Sequence, residues 1–136
     1  MKKQLIIYYT FLGLFSLMIL ASLYNHLFNY AEAVSEYARL GYPEHLVKPL
    51  AIAQLAGLFA ILYNKKKMLV EWAYGGFFAN LTLAVVAHYC SKYGNGAEAV
   101  ICLILLLTTY SLNRKRIANT EVQEKEEEKR SHLVKV

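Results

Sequence analysis

The chain has 136 residues, of which 57% are hydrophobic and 18% charged, and a formal net charge of +5. That length allows one compact domain, and so apolar a composition leaves too little polar surface to cover it as a water-soluble protein. The positive charge does not point to nucleic acid, because the basic residues flank apolar stretches and no recognition module is present.

The first element runs from Gln4 to Ala31 without a charged residue. A helix rises about 1.5 Å per residue, so about 20 residues cross a hydrocarbon core of about 30 Å. Lys2 and Lys3 before an apolar run also suit a signal peptide, but the run is too long for an ordinary h-region. No small-x-small cleavage site follows near Tyr24 to Asn29, so an uncleaved span is expected.

The segment from Glu32 to Lys48 carries an apolar face of Ala33, Val34, Tyr37, Ala38 and Leu40. It reads as a helix lying on the outer surface or continuing the first span. Gly41-Tyr42-Pro43 should break it, since a residue before proline is pushed away from helical angles. Pro49 suits the first turn of a second span, Pro49 to Asn64, where its missing N–H costs little. That span is short at 16 residues, as is the fourth, Ala99 to Asn113, at 15. Both cross if Lys48, Lys65, Glu98 and Arg114 snorkel or the bilayer thins. The third span, Trp72 to Ser91, is again uncharged. The turn at Lys65 to Lys67 and the loop from Ser91 to Ala97 are short, so consecutive helices should be antiparallel neighbours in an up-down-up-down bundle. Beyond Arg116 a charged tail, 117–136, is expected to be partly helical and to fray into disorder.

The fold class is therefore all-α: an integral membrane four-helix antiparallel bundle over residues 1–116, with an outer interfacial segment and a charged cytoplasmic tail. Orientation follows from the basic residues. With the N-terminus inside, 12 lysines and arginines lie on the inner side, including Lys65 to Lys67 and Arg114 to Arg116, against Arg39, Lys48 and Lys92 outside. Tyr8, Tyr9, Tyr63, Trp72, Tyr74 and Tyr110 are expected near the inner interface, and Tyr24, Tyr30, Tyr89 and Tyr93 near the outer one.

Small residues four apart, Ala53 with Gly57, Ala56 with Ala60 and Gly75 with Ala79, suggest close helix packing. Trp72, Gly76, Asn80, Ala84 and His88 also recur at intervals of four and are read as one stripe facing the bundle interior. Gln54 on the second span and Asn25 and His26 on the first fall in the same outer half. These polar side chains are expected to converge on a cavity, although hydrogen bonding between helices alone would account for Asn80 and Gln54. Glu71 opens the third span, where nearby lysines and the helix N-terminus suffice to explain it. Cys90 and Cys102 form no CxxC pair and are expected to be free, partly buried thiols. No GxSxG, HExxH, phosphate-binding glycine loop or CxxCH is present, and no tight metal-ligand spacing. The absence of an evident internal repeat gives alternating-access transport little support.

Leu40-Gly41-Tyr42-Pro43, Ala56-Gly57, and Glu71-Trp72-Ala73-Tyr74-Gly75-Gly76-Phe77 leading to Ala87-His88 resemble the DoxX-like membrane proteins over roughly residues 5 to 112. The resemblance implies a four-helix membrane bundle in a bacterial plasma membrane. It also implies association either with quinone-linked sulfur oxidation and membrane oxidoreductase complexes or with assembly of other membrane proteins. By that resemblance Glu71, Trp72, Gly76 and His88 match patterned positions, whereas Gln54 stands where a charged side chain is common. The leading expectation is a small membrane subunit of a quinone-linked oxidoreductase system, without a catalytic motif of its own. His88, His26, Asn80, Gln54, Trp72 and Glu71 are the candidate quinone contacts, with His88 as a hydrogen-bond donor to a quinone carbonyl. The alternative is a non-enzymatic scaffold or assembly chaperone that binds partner helices. Beyond the lipid bilayer, a membrane or redox protein partner or a second copy of the chain remains open.

Overall fold

Buried residues on each long helix recur at alternating intervals of three and four, and this spacing decides how the helices meet. The computed structural model describes residues 2–135. It contains α1 (Lys2–Phe28), α2 (Tyr30–Arg39), a 3-10 turn (Glu44–Leu46), α3 (Val47–Tyr63), α4 (Lys67–Ser91) and α5 (Ala97–Val134). On α1 the buried positions are Tyr8, Leu12, Phe15, Ile19 and Leu23; on α3 they are Val47, Ala51, Gln54, Leu58 and Ile61. Helix α4 contributes Val70, Tyr74, Phe77 and Leu81, and α5 contributes Cys102, Leu106, Thr109 and Asn113. A repeat of seven in steps of three and four is the seam of a left-handed helical bundle. Accordingly α1 packs on α3, α3 on α4, α4 on α5 and α5 back on α1, closing a ring around one core. Phe15 and Phe77 meet edge to face at its centre, with centroids 5.2 Å apart.

Four helices are long and apolar enough to cross a membrane. The outward faces of the bundle carry Leu17, Phe59, Trp72 and Leu83, all exposed. Side chains of this kind are stable there only against lipid, since the bundle itself leaves them uncovered.

Breaks between helices have local causes. Asn64 ends α3 in the left-handed region at φ 45°, a conformation asparagine tolerates better than most residues. After α2, Gly41 takes φ 83°, its N–H bonds the Ala38 carbonyl, and the Tyr42 N–H bonds the Tyr37 carbonyl at 2.8 Å. These paired bonds form a Schellman cap, for which a glycine just past the helix is the preferred residue. Helix α2 bends away from α1 at Asn29 and returns across the end of the bundle opposite the termini, burying Ala33. The expected apolar face is seen except at Ala38, which is exposed.

Three sequence expectations are corrected. The charged tail does not fray: α5 runs unbroken to Val134, with every residue from Ala118 to Lys135 exposed. It contains no glycine or proline, and Glu121 with Lys125 and Glu126 with Arg130 are spaced for pairing along the helix. Lys67 to Glu121 at 3.7 Å and Asn119 to Gln4 at 3.4 Å tie its base to the bundle. Tyr8 and Tyr74 are core residues, not members of an interfacial belt. Of the small-residue pairs, Gly57 alone makes a close approach: a Cβ there would lie 2.9 Å from Phe77 Cε2, whereas Ala53, Ala56, Gly75 and Ala79 are exposed. Met1 and Val136, at the ends of the two expected segments, lie outside the described residues.

Candidate functional site

At the end of the bundle away from the termini, α1, α3, α4 and α5 splay slightly and α2 lies across the opening. Between them is a cleft of about 360 Å³ whose lining includes His26, Gln54, Asn80, His88 and Cys102. Four of the six residues singled out from sequence therefore share one cavity, and the depth argument accounts for it. All four come from spanning helices and fall in the halves nearer that end, His26 and His88 close to it and Gln54 and Asn80 deeper.

The two histidines are held differently. His26 Nδ1 donates to the Ser22 carbonyl at 2.6 Å, so its Nε2 accepts, and the Tyr37 hydroxyl donates to it at 3.0 Å. Both ring nitrogens of His26 are thereby occupied, and its role in the cleft is to hold Tyr37, and with it α2, against α1. Burial raises the Tyr37 phenol above its ordinary range, with Tyr42 and Glu36 adding to the effect, so it stays a proton donor. His88 Nδ1 donates to the Tyr93 carbonyl at 2.8 Å, and Nε2 makes no hydrogen bond to a described residue. With a proton on Nδ1, the neutral form of the ring presents Nε2 as an acceptor, the opposite of the donor role expected from sequence.

The loop after α4 fixes that orientation. Gly94 and Gly96 sit at φ 65° and 62°, and a Cβ on Gly96 would stand 3.0 Å from His88 Cβ. Asn95 Oδ1 accepts the Ala97 N–H at 3.1 Å and opens α5. Arg39 donates to the Tyr93 hydroxyl at 3.0 Å and lies 5.0 Å from its ring centroid, latching the end of α2 to this loop. Tyr42 adds a second latch, its hydroxyl donating to the Leu83 carbonyl at 3.2 Å. Glu36 and Glu98 also line the cleft.

Deeper in, Gln54 is nearly fully buried on the α3 seam and its Oε1 has no hydrogen-bond partner. Ser16 and Thr109, by contrast, each donate to the carbonyl four residues back at 2.7 Å; outside the cleft, the Tyr74 hydroxyl and Arg116 Nε are likewise buried without a hydrogen-bond partner. Asn80, half-buried beside the seam of α4, also makes no hydrogen bond to a described residue. An unpaired amide in an apolar surround costs on the order of 1–3 kcal/mol, so two lining one cleft mark it as a place for a polar ligand or water.

Glu71 and Trp72 are not part of this cleft. They lie seventeen and sixteen residues before His88 on α4, about 25 Å away along the axis. Trp72 is 75% exposed on the lipid-facing side. The stripe of fours fails because each step overshoots a full turn by about 40°, so Trp72 and His88 end on nearly opposite faces. The true inward seam alternates three and four and passes through Val70, Tyr74, Phe77 and Leu81. Glu71 accepts from the Tyr110 hydroxyl at 3.0 Å and pairs with Arg114 at 3.3 Å, so its partners stand on α5 and are not the neighbouring lysines. Both cysteines are free; Cys102 is buried, and Cys90 is exposed where partial burial was expected. Among the described residues no three potential metal ligands come together.

Sequence reasoning missed Tyr37, Arg39 and Tyr93. The turn Leu40-Gly41-Tyr42-Pro43 and the Gly94-x-Gly96 loop were the available signals, since both reverse the chain beside the cleft.

A four-span bundle capped by a short amphipathic helix defines the class: a multi-pass integral membrane protein. The family model of the DoxX-like family matches residues 10–111, and the chain belongs to that family. Comparison with functionally described proteins and with solved structures gave no match.

Proposed function

We propose that this protein binds the head group of a membrane quinone in the cleft beneath α2 and serves as a small subunit of an oxidoreductase system. The observation that carries the reading is the pair of unpartnered amides, Gln54 and Asn80, beside the open Nε2 of His88, in a cavity reached from apolar helix faces. A cleft of this size lies at the small end of the range for ligand sites, about 300–1,000 Å³. It suits a ring with one or two oxygen functions whose tail leaves between helices into lipid. The basic bias of the end bearing both termini supports cytoplasmic termini, with the cleft at the outer half of a bacterial plasma membrane.

The test is a titration of the protein in nanodiscs with a short-chain benzoquinone. Asn80→Ala and Gln54→Ala should each weaken binding by about tenfold, the value of one good hydrogen bond. Unchanged affinity in both variants would refute the site.

The projection of α5 from the bundle favours a second reading, a scaffold that docks partner proteins. Crosslinking in native membranes through Val122 or Leu133 distinguishes it: a scaffold gives a discrete adduct, and the ligand-binding reading requires none.

A further inference from the structure

The open hydrogen-bonding positions of the cleft are unevenly divided between donors and acceptors. Both phenols in the lining have spent their protons, Tyr37 on His26 and Tyr42 on the Leu83 carbonyl. His26 has no free nitrogen. His88 keeps its proton on the Tyr93 carbonyl and offers the lone pair of Nε2. Two carboxylates, Glu36 and Glu98, share the lining with no lysine or arginine among them. Gln54 and Asn80 each bring one donor and one acceptor group and so favour neither kind of ligand. Besides the amides, the remaining donors are the Ser22 hydroxyl and the weak Cys102 thiol, against the acceptor at His88 Nε2 and the four oxygens of the two carboxylates, so acceptors are in excess.

A quinone carbonyl is itself only an acceptor. Set against His88 Nε2 and the carboxylates it meets lone pairs with lone pairs, and it gains a bond only from the amides, the Ser22 hydroxyl or the Cys102 thiol. The corresponding quinol carries two O–H groups. One can donate to His88 Nε2, and its oxygens keep lone pairs with which to accept from the donors deeper in the cleft. We infer that the cleft selects the reduced, hydroxylated form of its ligand, the quinol, over the quinone. This deepens the reading above and rests on it. The claim concerns binding; no electron transfer is assigned to the chain.

The experiment compares three ligands of one ring and tail with the full-length protein in nanodiscs under anaerobic conditions: a short-chain benzoquinone, its quinol, and the quinol's dimethyl ether. The ether keeps the size and oxygen positions of the quinol and removes both donors. The quinol should bind about tenfold more tightly than the quinone, and the ether no more tightly than the quinone. His88→Phe should abolish that preference. Glu98→Gln, a change at an exposed position, should reduce it by a smaller factor. Equal or tighter binding of the quinone, or an ether as good as the quinol, would overturn the selectivity while leaving the quinone-type site standing. Failure of all three ligands to bind would overturn both.

Discussion

His88 is aimed by residues that follow it in the chain. Its Nδ1 is tied to the Tyr93 carbonyl, and the backbone at Gly96 passes so close to its Cβ that no side chain fits between. Gly96→Ala would add a methyl 3.0 Å from that Cβ and force a β-carbon into φ 62°. The left-handed conformation alone costs about 1–2 kcal/mol, and the clash pushes the loop off His88. We expect a clear drop in thermal stability in detergent and loss of ligand binding, whereas Asn95→Ala, which gives up one exposed cap bond, should cost less than either. Tyr37 offers a pH test. Its phenol is raised in the folded state from the ordinary 10.0 by burial, so the folded form holds the proton more firmly than the unfolded one. The stabilisation is complete below pH 10.0 and is lost as pH climbs through the raised value. Alkaline melting curves should show this loss in the native protein and lack it in Tyr37→Phe. His88 and the two glycines were each visible in the sequence, His88 as an intramembrane ionisable group and the glycines as a loop. Their contact was not, because no local rule says how far a loop folds back over the helix it leaves.

At the scale of elements the packing is set by the seams, and two predictions separate a seam position from its opposite face. Phe77 is almost fully buried, meets Phe15 edge to face, and covers the gap left by Gly57. Phe77→Ala should destabilise the bundle by about 3–5 kcal/mol. Gly57→Leu should also destabilise it, because even a single Cβ there reaches the Phe77 ring at 2.9 Å. Trp72→Ala, on the lipid side of the same helix, should change stability by no more than about 0.5 kcal/mol and leave ligand binding intact. Denaturation in mixed micelles measures all three. The number and order of helices were legible because hydrophobic length and charge are one-dimensional signals. The facing of α4 was also present in the sequence, in the spacing of Val70, Tyr74, Phe77 and Leu81. An interval of four obscured it by selecting residues for their polarity and not for the helical repeat. Three of its five residues, Asn80, Ala84 and His88, still reached the cleft, since the drift of about 40° per step accumulates over only two steps between them.

On the scale of the whole molecule, charge and the long fifth helix predict how the protein sits in its membrane. The termini, the Lys65 to Lys67 turn and the Arg114 to Arg116 cluster lie at one end, and the cleft, α2 and the Gly94–Gly96 loop lie at the other. If the basic end is cytoplasmic, the outer loop faces an impermeant thiol reagent in intact cells and the lysine turn does not. In a background of Cys90→Ser and Cys102→Ser, Asn95→Cys should be labelled and Lys66→Cys should be labelled only after lysis. The reverse pattern would put the cleft in the inner half and remove the premise of an outer ligand site. The tail is separable in the same experiment. The described residues beyond Glu121 are all exposed and none lines the cleft or a core seam, and the base of the tail is held by an exposed ion pair and an amide bond. Exposed pairs of this kind contribute about 0–1 kcal/mol. Removing residues 122–136 should therefore leave the labelling pattern, the melting temperature and the affinity for ligand as they were. Any function that the truncation does abolish belongs to a partner bound along the projecting helix, not to the cleft.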